Sequence, residues 1–343
     1  MSSKIFISVI DPSAKIYISK ISPYLNAEIY STSSEIGNNV VDLDNMSVVG
    51  FPSIKDFFFK ILDLMKFLGS VKIDIGVFCD SPDFNILAGT FFRRLQKKSK
   101  SIYFIPPTVW AWRPERKNLI EKNFDLVIYI LPFEKDIWKE KGVYVGHPIC
   151  KIIKYEMKEW KSKYSRNKSA NKENEKICAF LPGSRISELK NHREIIENIW
   201  KFLEGTKILV PTEYFWLFQN PYKVVPKEFS RWTMYISDFV ITASGTASLE
   251  SALLGKPSVV FYKLPKITYN IAKKLIKVQF VSLPNIILGK EIFPELLQDE
   301  ADARKIYDKL KDIESRNFSE YSEKLLEVLD GFEFSEIARI IQS

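Results

Sequence analysis

Histidine is nearly absent from this chain: His147 and His192 are the only two in 343 residues. Enzymes that gather several imidazoles around a metal are thereby excluded, and a Ser-His-Asp triad could be built on one of two positions only. Cysteine is almost as scarce. Cys79, Cys150 and Cys178 are far apart, odd in number and without a CxxC pair. That argues against a disulfide framework or zinc knuckle and fits a reducing compartment. The longest apolar run, residues 126–133, is well short of the roughly 18 residues a membrane-spanning helix needs. Residues 1–15 lack the apolar core and small-residue cleavage site of a secretion signal, so a cytoplasmic protein is expected. Walker and GxGxxG motifs are missing, as are RNP, zinc-finger and helix-turn-helix signatures, so nucleic acid is not an expected partner.

What remains is ordinary globular composition, 46% hydrophobic and 27% charged, in a length that suits two domains. The formal net charge is +8. A soluble basic surface, anionic lipid and phosphorylated substrates all fit that excess. Part of it is local: nine basic residues lie between Lys151 and Lys176, and the polar centre of that stretch reads as a solvated linker or loop.

Strand and helix patterns alternate along the chain. Residues 4–10, 73–79, 101–105 and 126–130 read as strands. Helices are expected up to about residue 25, at 84–97 and at 115–122. After the basic stretch the alternation restarts, with strands at 177–181, 208–210, 239–243 and 258–261. Helices follow at 186–203 and 246–254, and from 301 onward. This implies an α/β protein of two doubly wound, Rossmann-like domains facing a central cleft, with ligands at the carboxyl ends of parallel strands. The expected division is 1–150, then 151–320 with the basic linker at 151–176, then helices at 321–343 that cross back to the first domain.

Five stretches carry chemistry. In Leu181-Pro182-Gly183-Ser184-Arg185 a strand ends in a glycine turn before a helix, where amides and a guanidinium favour phosphate; an ordinary turn with Ser187 as helix cap is the plain alternative. Ser244-Gly245-Thr246 repeats the arrangement, and Glu250 lies one helical turn further, placed to hold the hydroxyls of a ribose. Together these point to a nucleotide diphosphate. Cys79-Asp80-Ser81-Pro82-Asp83-Phe84-Asn85 ends another strand. Ser81 or Asp83 would cap the next helix, leaving Asp80 as a general base for an alcohol. Residues 106–116 pair Trp110 and Trp112 with Arg113 and Arg116, as a binding surface for sugar, acyl chain or phosphate, or as a hydrophobic lid. Residues 54–67 form a helix with Phe57 and Phe58 on its apolar stripe, widened by Phe59, Leu62 and Leu64 and bordered by Lys55, Lys60 and Lys66. It reads equally as a core helix and as an anchor on an anionic membrane surface.

In order and spacing these stretches resemble the lipid-A-disaccharide synthase family. The resemblance also rests on Leu131-Pro132-Phe133-Glu134, Gly146-His147-Pro148, Val281-Ser282-Leu283-Pro284-Asn285 and Pro294-Glu295-Leu296-Leu297-Gln298. It implies a GT-B fold and an inverting, metal-independent glycosyltransferase without a cofactor. The donor would be UDP-2,3-diacylglucosamine and the acceptor 2,3-diacylglucosamine 1-phosphate, joined β-1,6 with release of UDP. It further implies peripheral attachment to the inner face of the cytoplasmic membrane, and a homodimer is expected. Residue by residue, Asp80 matches the family's essential acid and Asn85 orients substrate. Arg185 binds the diphosphate; Ser244, Gly245 and Thr246 line the phosphate turn; Glu250 holds the ribose. Asn285, Glu295 and Gln298 match the late signature near nucleotide and sugar. The family's Gly-Glu-x-Ser-Gly-Asp loop is replaced here by Ile10-Asp11-Pro12-Ser13-Ala14-Lys15. Asp11 stands for the glutamate as a second catalytic candidate, and Ser13 is retained. The competing expectations are a related GT-B transferase, a UDP-sugar epimerase, and a non-catalytic relative that binds nucleotide sugar or lipid.

Overall fold

The computed structural model describes residues 3–44, 54–164, 175–219, 221–265, 269 and 279–343. The chain divides into two units. One comprises Met1–Pro148 with Leu329–Ser343, the other Ile149–Val328.

The first unit is built on seven strands: β1 (Ser3–Val9), β2 (Ala27–Ser31), β3 (Asn38–Asn39), β4 (Ile75–Cys79), β5 (Lys100–Phe104), β6 (Leu126–Tyr129) and β7 (Gly142–Tyr144). Their order is β3-β2-β1-β4-β5-β6-β7 and every pairing is parallel. Apolar residues buried on both faces, Phe6, Phe78, Tyr103 and Val127 on one and Ile7, Val77, Phe104 and Ile128 on the other, explain the near-continuous hydrophobic strands. The chain turns one way from β1 to β2 and the other way from β1 to β4. Outside the carboxyl ends of β1 and β4 lies the place where doubly wound sheets take ligands.

The second unit repeats the plan with β8 (Lys176–Leu181), β9 (Thr206–Pro211), β10 (Lys223–Val225), β11 (Phe239–Ala243), β12 (Ser258–Tyr262) and β13 (Glu295–Leu297). The order is β10-β9-β8-β11-β12-β13, again parallel. Here the direction reverses between β8 and β11, so the two glycine turns predicted to bind phosphate flank the switch.

Several local expectations change. The stretch 186–203 is not one helix. It breaks into Ile186–Asn191, Arg193–Asn198 and a 3-10 turn at Ile199–Phe202. The break falls at the buried His192, whose ring pairs with the Pro182 carbonyl at 2.5 Å and accepts from the Lys263 amide at 3.0 Å. Those tertiary bonds compete with a continuous helix. Much of the supposed linker is helix Pro148–Tyr164, with its apolar side seated by Ile152 and Ile153; residues 165–174 lie outside the described residues. Of the last helices, Ser319–Leu329 falls in the second unit apart from its final residue, and Phe334–Gln342 in the first. Where the chain returns, Gly331 lies against Val145 and Gly146 so closely that a Cβ there would meet the Val145 carbonyl oxygen at 2.1 Å.

Candidate active site

In the first unit β4 ends in two non-glycine residues with left-handed backbone, Asp80 (φ +47°) and Ser81 (φ +43°). Such a conformation costs roughly 1–2 kcal/mol per residue. Hydrogen bonds hold it. The fully buried Asn85 donates to the carbonyls of Cys79 at 2.7 Å and Asp80 at 2.9 Å, and its oxygen accepts from the Ser8 hydroxyl at 2.6 Å. Tyr103 donates to the Asp80 carbonyl at 2.8 Å, and the Asp80 amide bonds Phe104 of β5 at 3.0 Å. The bonds from Asn85 and Tyr103 to its carbonyl and from its amide to Phe104 hold the backbone of Asp80, a half-buried residue at the carboxyl end of β4. Asn85 is therefore a clamp on the turn, which corrects its sequence assignment to substrate.

The capping expectation also changes. Ser81 occupies the cap position of helix Pro82–Leu95 without a side-chain bond, and Pro82 supplies the first-turn geometry. Asp83 instead pairs with Arg116, and with Arg113 at 3.5 Å. These arginines close the 106–116 loop, in which Trp110 packs edge-on against Phe133 at 5.0 Å and Arg113 lies over Trp112 at 5.7 Å. Beneath it Glu134 is 1% exposed, and burial pushes its carboxyl up to about 8, so it is neutral at pH 7. At the end of β1, Asp11 caps helix Pro12–Ile21, accepting from Ser13 N at 2.8 Å and Ala14 N at 3.2 Å. That bonding commits one carboxylate oxygen of Asp11 to the cap, where the sequence assigned it a catalytic part.

In the second unit Gly183 (φ +134°) makes the turn after β8, and Arg185 is exposed at the start of the next helix. The cap is not Ser187. The Glu188 carboxylate takes the Ser184 amide at 3.0 Å and the Arg185 amide at 3.3 Å, and Tyr262 donates to it at 3.4 Å. The amides assigned to a phosphate thus already hold an anion of the chain itself.

After β11, Gly245 has extended backbone, and a Cβ there would meet nothing within 4 Å. Gly245 and Thr246 are exposed. The Ser244 hydroxyl is used internally, donating to the Val281 carbonyl at 3.1 Å. Glu250, with 14% of its side chain exposed, lies 3.5 Å from Arg231, which is bidentate to Glu156 at 2.6 and 2.7 Å. Burial raises the Glu250 carboxyl to about 7, opposed by Arg231 and helped by Glu156.

Asn285 and Glu295 are brought together but face inward. Asn285 donates to the Phe293 carbonyl and to Glu295, both at 2.8 Å, and accepts from the amides of Ile292 and Phe293. Glu295 takes the Val281 amide at 2.8 Å and the Ser282 amide at 2.9 Å. They brace the 281–285 loop that Ser244 touches. Gln298 (φ +55°) pairs its amide with both backbone groups of Leu264, at 3.1 and 3.0 Å. Sequence reasoning missed Arg231, Glu156, Glu188 and His192 as site builders. They come from distant positions or ordinary helical spacing, so no local signal marked them. Among the described residues no group of three or more His, Cys, Asp or Glu is placed to hold a metal ion.

The Lipid-A-disaccharide synthetase family model matches residues 5–329. The lipid-A-disaccharide synthase of Aquifex aeolicus is 35% identical, the match covering 87% of each chain. That of Campylobacter jejuni serotype O:2 is 33% identical, over 86% of this chain and 83% of its own. The fold is shared with UDP-GlcNAc 2-epimerases of Neisseria meningitidis and Rickettsia bellii. The first has TM-score 0.62 and 13% identity, covering 100% of this chain and 98% of its own. The second has TM-score 0.63 and 12% identity, covering 96% of each. Two parallel α/β sheets in GT-B manner and these matches together place the chain in the lipid-A-disaccharide synthase family, the glycosyltransferases of lipid A biosynthesis.

Proposed function

We propose that the chain transfers 2,3-diacylglucosamine from its UDP derivative to the 6-hydroxyl of 2,3-diacylglucosamine 1-phosphate, inverting the anomeric carbon. In the second unit, Arg185 and the Gly245 and Thr246 amides neutralise the departing diphosphate, and Glu250 accepts from the ribose hydroxyls. Glu188 leaves its two amides when diphosphate arrives. In the first unit Asp80 takes the proton of the acceptor hydroxyl, while Asn85 and Tyr103 hold it in place. Asp11 and Ser13 at the adjacent strand end shape the acceptor side. The observation that carries this reading is the Asp80 turn, strained and clamped through its backbone at the carboxyl end of β4, where doubly wound sheets take ligands.

Membrane attachment is part of the proposal. No helix among the described residues is long and apolar enough to cross a bilayer. Helix Ile54–Ser70 splits its phenylalanines. Phe57 packs edge-on against Phe84 at 5.7 Å and belongs to the core, which removes it from the expected anchor. Phe58, Phe59 and Leu62 are 57, 63 and 48% exposed, with Lys60 partly exposed beside them. This face rests on the anionic inner surface of the cytoplasmic membrane.

The test is mass spectrometry of the product formed from synthetic donor and acceptor in detergent. A disaccharide 1-phosphate with stoichiometric UDP is expected. UDP release without acceptor, or none with it, refutes the reading.

A further inference from the structure

The second unit carries an apolar feature that the transfer chemistry does not use. Just beyond β9, Phe215, Trp216 and Leu217 form a 3-10 turn and are 64, 57 and 44% exposed. No other three consecutive large apolar residues are exposed among the described residues. The turn is not a loose end. Tyr214 and Phe218 are buried on either side of it, at 4 and 6% exposure. The Tyr214 amide donates to the Thr212 hydroxyl at 3.0 Å, and the amides of Leu217 and Phe218 donate to the carbonyls of Tyr214 and Phe215 at 3.0 and 3.2 Å. Trp216 sits edge-on to both Tyr214 and Phe215, at 5.6 and 5.2 Å. Glu213 ties the base to Lys227 at 3.0 Å. The fold thus holds three apolar side chains outward in water, where such an exposed run is unfavourable without a function.

β9 is parallel to β8, so the turn lies at the same carboxyl-end edge as the Gly183–Arg185 turn.

We propose that Phe215, Trp216 and Leu217 are a lipid-surface contact of the second unit, entering the headgroup–acyl boundary of a phospholipid bilayer. The proposal rests on the reading above that both substrates are acylated sugars drawn from a membrane. Tryptophan and phenylalanine suit that boundary. Side chains 44 to 64% exposed to water are not walled in as the lining of an acyl pocket is, which favours a surface over a pocket.

The test uses the full chain and sedimentation with phosphatidylcholine–phosphatidylglycerol vesicles. The triple variant Phe215→Ser, Trp216→Ser, Leu217→Ser should lose about tenfold in partition, which is about 1.4 kcal/mol. It should keep the wild-type melting temperature and activity toward detergent-dispersed substrates. Vesicles with brominated acyl chains should quench wild-type fluorescence more than that of Trp216→Phe, which keeps the apolar surface and partitions within about twofold of wild type. A triple variant that sediments like wild type overturns the proposal. So does equal quenching of wild type and Trp216→Phe, which also decides the matter if the triple variant does not fold. Normal vesicle binding with a raised KM for donor in detergent would assign the turn to the acyl chain of the substrate and likewise refutes the membrane contact. If the wild type releases no UDP at all, the transfer reading fails while the vesicle measurements still decide the contact.

Discussion

The turn after β4 and the turn after β11 follow one plan, strand to tight turn to helix, and meet it with opposite chemistry. In the first unit the turn is made by Asp80 and Ser81, both left-handed, and Asn85 and Tyr103 pin its carbonyls. In the second, glycine makes the bend and the space above it is open. The difference fits what each is proposed to offer. A base is a side chain, so glycine cannot stand there, and the strain has to be held by bonds from elsewhere. A phosphate cradle is backbone amide, so the residue without a Cβ is the better choice. Each unit places its turn beside the reversal in strand order.

The comparison can be broken most directly at the acid. Asp80→Asn keeps every backbone bond of the turn. It should lower kcat by about 10² to 10⁴-fold with melting temperature and UDP affinity little changed; UDP-release kinetics with a parallel thermal melt reads both. More than a tenth of wild-type activity would remove Asp80 from catalysis.

Asn85→Ala tests the clamp. It deletes three buried hydrogen bonds and should cost about 3 kcal/mol in denaturant unfolding, while Ser244→Ala in the open turn costs about 1 kcal/mol or less. Equal effects would mean that the two turns are braced alike.

Glu250 sharpens the second half through pH. Its carboxyl, raised to about 7, is mostly protonated below that pH and ionised above it. The ionised form accepts from ribose hydroxyls, so UDP affinity should rise between pH 6 and 8, and Glu250→Gln should flatten that rise and weaken binding about tenfold at pH 8. In linkage terms the folded state binds the extra proton from the unfolded carboxyl range up to about 7, so Glu250 withdraws stability as pH rises through that window. Calorimetric titration with UDP checks the first statement and melting curves the second.

The smallest effect is expected at Ser81→Gly. Ser81 makes no cap bond and is left-handed, so glycine should stabilise the chain by about 1 kcal/mol and leave kcat within severalfold. A fall in melting temperature would mean that the serine hydroxyl has work the turn geometry does not reveal.

Much of this was legible in the residues. β1, β4, β5, β6, β8, β11 and β12 announced themselves as buried β-branched and aromatic runs, and the glycine turns by Gly183 and Gly245. The short edge strands β3, β7, β10 and β13, and β2 next to one edge, did not, because two to five largely half-exposed residues carry little hydrophobic pattern. Asn85, Asn285 and Glu295 were visible as motif members but not in their roles. A polar side chain in a motif reads the same whether it faces ligand or clamps a carbonyl. The aromatic run at residues 214–218 is plain in the sequence, yet nothing there tells which of its members are buried.

By itself the sequence determined the class of architecture, the family and the carboxylate on which to bet, since hydrophobic period and motif order are local properties of the chain. Only the tertiary structure decided that Asp83 belongs to Arg116, that Glu188 already fills its own amides, that Glu250 shares Arg231 with Glu156, and that Phe57 is core while Phe215, Trp216 and Leu217 stand in solvent. All but the local Glu188 bonds depend on partners far along the chain or on burial, and both arise only when the sheets bring distant segments together.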